Sequence, residues 1–298
     1  MVHNRILPIL VAQQSHDQYG FRPGIRLDDA LAVVETLISK CNEFNLPIWL
    51  ASLDLKKAFG KITHKVIFEA LRNQGIAEPM VALIMDLYSN QTGYVDGNSE
   101  FLISRGVRQG DVLSSIIFNA ALELIFQRWK AQLNHHGWML SGPNDERLTN
   151  ARYADDMLLF AKSLPELEAM LQFLHIELAA CGLEMHQSKT KVLTNHNEED
   201  LDFIDVSGLL IEILPYENTH RYLGRLISCS LDRSQFEIQH RLKLAWGKYH
   251  QHRQWLTNKH VPIQLRLKLF DAVVSPTATF ALSTLPLPSK LLDDLGVC

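Results

Sequence analysis

A chain of 298 residues is long enough for one large domain or two smaller ones around a sizeable core. Hydrophobic residues make up 47% and charged residues 21%, the balance of an ordinary globular protein rather than a disordered or fibrous one. The net charge of −4 argues against a uniformly basic nucleic-acid binder, and no apolar run approaches the roughly 18 residues of a membrane span.

Ile6 to Ala12 is a short apolar run with little positive charge before it and Gln13-Gln14 after it, a poor signal peptide. Cys41, Cys181, Cys229 and Cys298 form no CxxC pair, so neither a zinc knuckle nor a disulfide framework is expected. That usage points to a reducing, intracellular compartment, nucleus or cytoplasm, and not to secretion. Asp28-Asp29 can cap a helix whose apolar positions Ala30, Val33, Val34, Leu37 and Ile38 keep helical spacing to about Phe44. Beyond Pro47, Ile48 to Leu55 reads as a strand buried on both faces, with Asp54 at its end. Helices are expected over Thr63–Arg72 and Met80–Tyr88, and a hairpin over Thr92–Ser104 around Asp96-Gly97-Asn98.

Arg105 to Asp111 is a glycine-rich polar loop, followed by a strongly apolar helix from about Leu113 to Trp129. Two apolar runs, Leu148–Tyr153 and Met157–Phe160, then flank Asp155-Asp156 as the arms of a hairpin. Ser163-Leu164-Pro165-Glu166 is a capping box with proline in the first turn, and Gly182 closes the helix it opens. Short strands and turns over Leu201–Leu226 give way to helices marked by Ile238, Leu242, Ala245 and Tyr249, then by Leu265, Leu269 and Ala272 after Pro262. Strands flanked by helices and followed by an all-helical end predict an α+β domain with a helical appendage.

The chemistry rests on carboxylates. Two adjacent acids between apolar arms are costly unless their charge is compensated, and a divalent cation does this well. Asp54 and Asp155 on sequence-distant strands, with Asp156 in a supporting position, are the set a two-metal phosphoryl transferase needs. Mg²⁺ suits it, because it takes a few protein oxygens and completes its shell with water and phosphate. Each aspartate alone reads equally well as a surface turn or a helix cap; the conjunction carries the weight.

Charge is unevenly placed. Arg221, Arg225, Arg233, Arg241, Lys243, Lys248, Arg253, Lys259, Arg266 and Lys268 stand against Asp232 and Glu237, a polarity that fits backbone-phosphate contact by the C-terminal part. A solvated helix face explains any one of these residues equally well. His240, His250 and His252 have no neighbouring cysteine or acid, so a zinc site is rejected.

Ala51-Ser52-Leu53-Asp54-Leu55-Lys56-Lys57-Ala58-Phe59, Arg105-Gly106-Val107-Arg108-Gln109-Gly110 and Tyr153-Ala154-Asp155-Asp156 resemble, in order and spacing, the motifs of reverse transcriptases, and most closely those of non-LTR (LINE-type) retrotransposons. Gln18 to Gly24 resembles the fingers-to-palm motif, Gly182 to Lys191 the helix-turn-strand motif after the catalytic hairpin, and Arg221-Tyr222-Leu223-Gly224 the primer grip. The resemblance covers nearly the whole chain. It implies a right-hand polymerase: a remnant of the fingers over residues 1–30, a palm over 31–230 built on an antiparallel sheet with packed helices, and the start of a helical thumb over 231–298. It also implies a chain truncated at its N-terminus, beginning after the basic fingers segment that closes on the nucleotide.

The same resemblance assigns roles. Asp54, Asp155 and Asp156 match the catalytic, metal-binding triad, holding two Mg²⁺ ions with Mn²⁺ able to substitute. Phe59 matches the plate that excludes a 2′-hydroxyl, and Arg108, Gln109 and Gly110 line the nucleotide. Lys189, or Lys191 beside it, places a cation near the leaving pyrophosphate, and Arg22, Tyr222, Gly224, Arg241, Lys248 and Arg253 face nucleic acid. Gly60 departs from the family's usual Asp, and Asp111 and Ser115 from its Cys and Pro. The implied function is RNA-directed DNA polymerisation, with an RNA template, a DNA primer and dNTP as partners, no membrane, and a longer polyprotein as context. The alternatives are a catalytically inert remnant that still binds nucleic acid or a partner, and an RNA-templated RNA polymerase, which Phe59 and the Arg105–Gly110 loop disfavour.

Overall fold

The computed structural model describes residues 2–89, 91–95, 99–108, 110–140, 146–196 and 201–286. The chain opens with α1 (Val2–Gln13) and α2 (Leu27–Glu43), reaches β1 (Trp49–Leu53), and turns through the short α3 (Ala58–Lys61) into α4 (His64–Asn73) and α5 (Glu78–Tyr88). The hairpin β2 (Thr92–Val95) and β3 (Ser99–Leu102) leads to α6 (Val112–Lys130). Small strands β4 (Trp138–Met139) and β5 (Arg147–Leu148) precede the hairpin of β6 (Asn150–Tyr153) and β7 (Asp156–Ala161). After α7 (Leu164–Ala180) come β8 (Lys191–Thr194), β9 (Phe203–Val206), β10 (Leu209–Ile213), β11 (His220–Tyr222) and β12 (Arg225–Ile227), then α8 (Arg233–Leu256) and α9 (Ile263–Thr279).

Six strands form the central sheet in the order β6-β7-β1-β8-β10-β9, with β1 antiparallel to both of its neighbours. All five residues of β1 are buried, as its unbroken apolar run predicts. Their alternation divides them between two cores. Trp49, Ala51 and Leu53 join Met157, Leu159 and Ala161 under the helices α4, α6 and α7. Leu50 joins Leu158, Phe160 and Leu193 on the opposite face, beneath α2 and the β11–β12 hairpin. Shifting the register by one residue would exchange the two sets, so the packing on both faces fixes it.

Helix α6 runs through the first core. Fourteen of its nineteen residues are buried, which explains why it lacks a polar stripe and reads as uniformly apolar. Asp111, a departure from the family pattern, is its N-cap: the carboxylate accepts the Leu113 amide at 3.0 Å. Ser163 and Glu166 cap α7 as their spacing predicts, with Glu166 also accepting the Lys162 amide at 2.8 Å. The first helix lies where the sequence offers only a short apolar run. α1 forms despite Pro8, and Ile6 and Leu10 bury its inner face against the first core.

The C-terminal helices join the sheet through buried charge. Glu35 on α2 pairs with Arg225 of β12 and with Arg233 of α8, and Arg233 also donates to Ser39 at 2.7 Å. Beyond this junction the hairpin of α8 and α9 projects outward, leaving Trp246, Trp255, Leu265 and Leu267 more than half exposed. Among the described residues no helix is long and apolar enough to cross a membrane.

Candidate active site

Antiparallel pairing places the three aspartates at one end of the sheet. Leu53 sits opposite Met157, so the next residue along β1, Asp54, meets the tip that carries Asp156 and Asp155. The segment after α7 straps the end of β1: the His186 amide donates to the Asp54 carbonyl at 2.8 Å, and the Lys56 amide to the Glu184 carbonyl at 2.9 Å. Lys189 rides on that strap, its Nζ 3.4 Å from Asp54 Oδ2. Lys191, the other candidate, is turned to Glu212 on β10 at 2.5 Å.

The carboxylates feel one another. Burial, followed by the charges of Asp155 and Asp54, pushes the Asp156 carboxyl up to about 6, with Lys189 pulling the other way. Asp155 is also raised, by burial first and with Asp54 adding to it, against a backbone hydrogen bond that lowers it. Such a field is what unpaired carboxylates produce when charge compensation is missing. Among the described residues no three acidic, histidine or cysteine side chains are grouped closely enough to hold a metal ion by themselves. The donor set nonetheless fits a hard divalent cation: oxygen ligands, excess negative charge and an open approach.

Beside the carboxylates, the turn of α3 carries Phe59 half-buried. Its ring stacks on Phe118 of α6, with centroids 4.3 Å apart and planes inclined by 19°. The Arg105–Gly110 loop docks on the same turn: the Val107 amide donates to the Phe59 carbonyl at 2.6 Å and the Gly106 amide to the Ile62 carbonyl at 2.7 Å. Gly106, at φ +87°, lies so close to Gly60 that a Cβ would fall 2.7 Å from the Gly60 carbonyl oxygen. Gly60 itself has room for a side chain, so its departure from the family's Asp leaves this contact intact. Arg108 is exposed and donates to Gln91 at 3.2 Å, Gly110 has a φ of +89°, and Gln109 lies outside the described residues.

The remaining sequence candidates are distributed differently. Arg22 donates to the carbonyls of Ser15 at 2.8 Å and Gln18 at 3.0 Å. Tyr222 is buried in the second core, where burial raises its hydroxyl pKa. Arg241 is also buried, paired with Glu237 and the Gly224 carbonyl, its guanidinium 4.5 Å from the Phe280 ring centre. With Arg225 and Arg233 it is among the C-terminal cations that serve the interior. Lys248 and Arg253 are exposed on the outer half of α8, near the stacked rings of Trp246 and His250.

Unassigned by sequence is the ionic floor beneath the hairpin that carries Asp155 and Asp156. Arg152 of β6 is fully buried and pairs with Asp17 at 2.6 Å and Glu123 of α6 at 3.0 Å, its guanidinium 4.1 Å from the Phe126 ring centre. Lys130 reaches Asp17 as well. Burial opposes the Asp17 charge, but Arg152 and Lys130 outweigh it and hold the carboxyl at about 2. The available signal was Arg152 itself, a cation at a position that faces inward on a strand. A cavity of about 870 Å³ lies behind this floor, with His16, Lys130, His136 and Arg147 in its lining and none of the three aspartates. The carboxylates are open to solvent, Asp54 and Asp155 partly and Asp156 more fully.

The profile of the reverse transcriptase (RNA-dependent DNA polymerase) family matches residues 1–227. The Pol polyprotein of the type-2 retrotransposable element R2DM of Drosophila melanogaster is 27% identical over 177 residues, 58% of this chain and 16% of that one. That of the type-1 element R2 of Nasonia vitripennis is 33% identical over 150 residues, 49% of this chain and 14% of that one. The chain therefore spans about one sixth of these relatives. Telomerase from Candida tropicalis, solved in complex with a TWJ fragment of telomeric RNA, superposes with a TM-score of 0.55 at 13% identity, over 99% of this chain and 49% of that one. The apo telomerase truncated from its C-terminal domain gives 0.55 over 76% and 43%. These likenesses show the fold, a mixed sheet with packed helices of the polymerase palm type. By its sequence and its fold, this chain belongs to the reverse transcriptase family, among those of the non-LTR retrotransposons.

Proposed function

We propose that this chain is the catalytic palm of an RNA-directed DNA polymerase, extending a DNA primer on an RNA template. The observation that carries the reading is the meeting of Asp54, Asp155 and Asp156 from two paired strands, beside an aromatic plate and a glycine loop anchored to one turn. Asp54 and Asp155 would hold two Mg²⁺ ions, with Asp156 in support. Bound there, the ions supply activation of the primer 3′-hydroxyl and charge neutralisation at the α-phosphate and the leaving pyrophosphate.

The protein's own groups do the rest. Phe59, backed by Phe118, presents a rigid plate to the sugar and disfavours a 2′-hydroxyl. The backbone of the Arg105–Gly110 loop, with Gln109, positions the base and triphosphate. Lys189 is placed to leave Asp54 for the departing pyrophosphate, where a cation stabilises developing charge. The exposed basic outer half of α8, with Lys248 and Arg253, lies against the phosphates of the duplex.

Primer extension on an RNA template with dNTP and Mg²⁺ tests the reading. Extension by the wild-type chain that falls at least about 100-fold in Asp155→Asn is expected, because uncompensated loss of a metal ligand removes transition-state stabilisation. Salt-sensitive binding without extension, or extension indifferent to Asp155→Asn, would overturn it. Preference for ribonucleotides over deoxynucleotides would reassign the chain to RNA synthesis.

A further inference from the structure

The tip of the catalytic hairpin is held in an unfavourable backbone shape. Tyr153 pairs with Asp156, leaving Ala154 and Asp155 as a two-residue turn. Ala154 takes a φ of +57°, the left-handed region that a residue with a Cβ avoids. It is buried, so solvent cannot satisfy its amide. Something must hold this conformation, because Asp155 leaves the turn in the direction Ala154 sets.

The partner is the segment Asp17–Gly20, which lies along the outer edge of β6. The Arg152 amide donates to the Asp17 carbonyl at 2.8 Å, and the Tyr19 amide to the Arg152 carbonyl at 2.8 Å, so Gln18 pairs directly with Arg152. The Gln18 side chain is fully buried, and its Oε1 accepts two amides: Gly20 at 3.0 Å and Ala154 at 3.3 Å. Gly20 lies against the turn itself, where a Cβ would fall 2.6 Å from the Ala154 nitrogen and 2.9 Å from the Tyr153 carbonyl carbon. Asn119 of α6 closes the arrangement by donating to the Gly20 carbonyl at 2.8 Å. Glutamine matches the place: it offers a neutral acceptor, whereas glutamate would add a charge beside carboxylates already crowded by their own.

We propose that Gln18 and Gly20 form a clamp that holds Ala154 left-handed and so aims Asp155 and Asp156. Gln18 is a positioning residue, acting through the Ala154 amide and touching neither substrate nor metal. The inference rests on the polymerase reading for its consequence in turnover, but not for its structural content. It predicts that the need for the clamp disappears when residue 154 adopts the left-handed region without penalty, as glycine does.

The test compares the full chain with Gln18→Met, Ala154→Gly and the double variant. Hydrogen exchange at the residue-154 amide is followed alongside Mn²⁺ affinity and primer-extension kinetics. Gln18→Met should lose amide protection, bind Mn²⁺ more weakly and lose about 10- to 100-fold in kcat while KM for dNTP changes little, the cost of misaimed groups. Ala154→Gly alone should remain near wild type. The double variant should recover about tenfold of the kcat lost, with Mn²⁺ affinity moving in step.

Unchanged protection and Mn²⁺ affinity in Gln18→Met would overturn the clamp. So would a double variant no better than the single one, because a general packing defect has no reason to respond to glycine at 154. If the wild-type chain extends no primer, the polymerase reading fails, while exchange and Mn²⁺ binding still decide the clamp. Gly20→Ala supplies a second approach: its Cβ must displace the turn, so it should reproduce the Gln18→Met losses, and full activity in Gly20→Ala would also overturn the proposal.

Discussion

Two aspartates stand at opposite ends of the support for β6 and are treated in opposite ways. Asp17, in the floor beneath the strand, meets Arg152 and Lys130, and its carboxyl is held at about 2. Asp156, at the tip, is pushed up to about 6 by burial and by the neighbouring carboxylates, with Lys189 in partial compensation. The first charge is neutralised from within the fold. The second is compensated only in part by the fold, through Lys189. Both are Asp in sequence, and the partners rather than the residue type separate structure from chemistry.

Breaking the floor should have the largest effect. Arg152→Met leaves Asp17 and Glu123 without their shared cation, and removing one partner of a buried ion pair costs about 3–5 kcal/mol. Urea unfolding measures it, and a loss below about 1 kcal/mol would mean that the floor is not a structural charge cluster. Charge supplied at the tip should act in the other direction. Mg²⁺ at 100 times its Kd should stabilise the wild-type chain by about 2.7 kcal/mol, and much less in Asp155→Asn. Thermal melts across a Mg²⁺ series read this, and equal stabilisation of both proteins would place the ion elsewhere.

The pH dependences of the two aspartates should have opposite signs in metal-free buffer. Asp17 is lowered on folding, so its contribution is present above pH ~4 and is lost as pH falls toward ~2. Asp156 is raised on folding, so folding is most favoured while it is protonated, and stability declines as pH rises from ~4 to ~6. Asp156→Asn should therefore melt like the wild type at pH 4 and at a higher temperature at pH 7. A variant that melts lower at pH 7 would show that the tip carries no uncompensated charge.

The smallest effects belong to the C-terminal hairpin. Lys248→Ala and Arg253→Ala should each change stability by less than about 0.5 kcal/mol, since both side chains are exposed. Each should also reduce the dependence of nucleic-acid affinity on log salt by about one unit, if each contacts one phosphate. Arg241→Ala should show the reverse, a loss of stability without a matching change in salt slope.

Much of this arrangement was legible in the amino-acid sequence. Asp54 at the end of a doubly buried strand, the hairpin tip at Asp155-Asp156 and the Ser163–Glu166 capping box are local patterns with local causes, and each element forms where its pattern lies. What escaped depends on distant partners. Nothing near Gln18 announces that its side chain reaches Ala154, 136 positions away. Arg241 looks no different in sequence from Lys248, yet one is buried against Glu237 and the other is exposed. Asp111 was readable as a cap directly before an apolar run; in the family pattern it registers as a departure. Helix α1, which runs through Pro8, draws its stability from burial of Ile6 and Leu10, which propensity does not express.

Helix α6 has a consequence for redesign. Phe118 backs the plate at Phe59, the adjacent Asn119 holds the Gly20 carbonyl, and Glu123, little more than a turn further on, pairs with Arg152. One rigid rod thus serves as the common reference for the Phe59 ring and for the strand and turn that carry the carboxylates. Recutting the layer behind Phe59 would rotate or shift that rod and disturb the aromatic plate and the carboxylate tip together. Changes confined to the Phe59 ring leave the reference in place, so plate and tip can be altered separately from the surface but not from the interior.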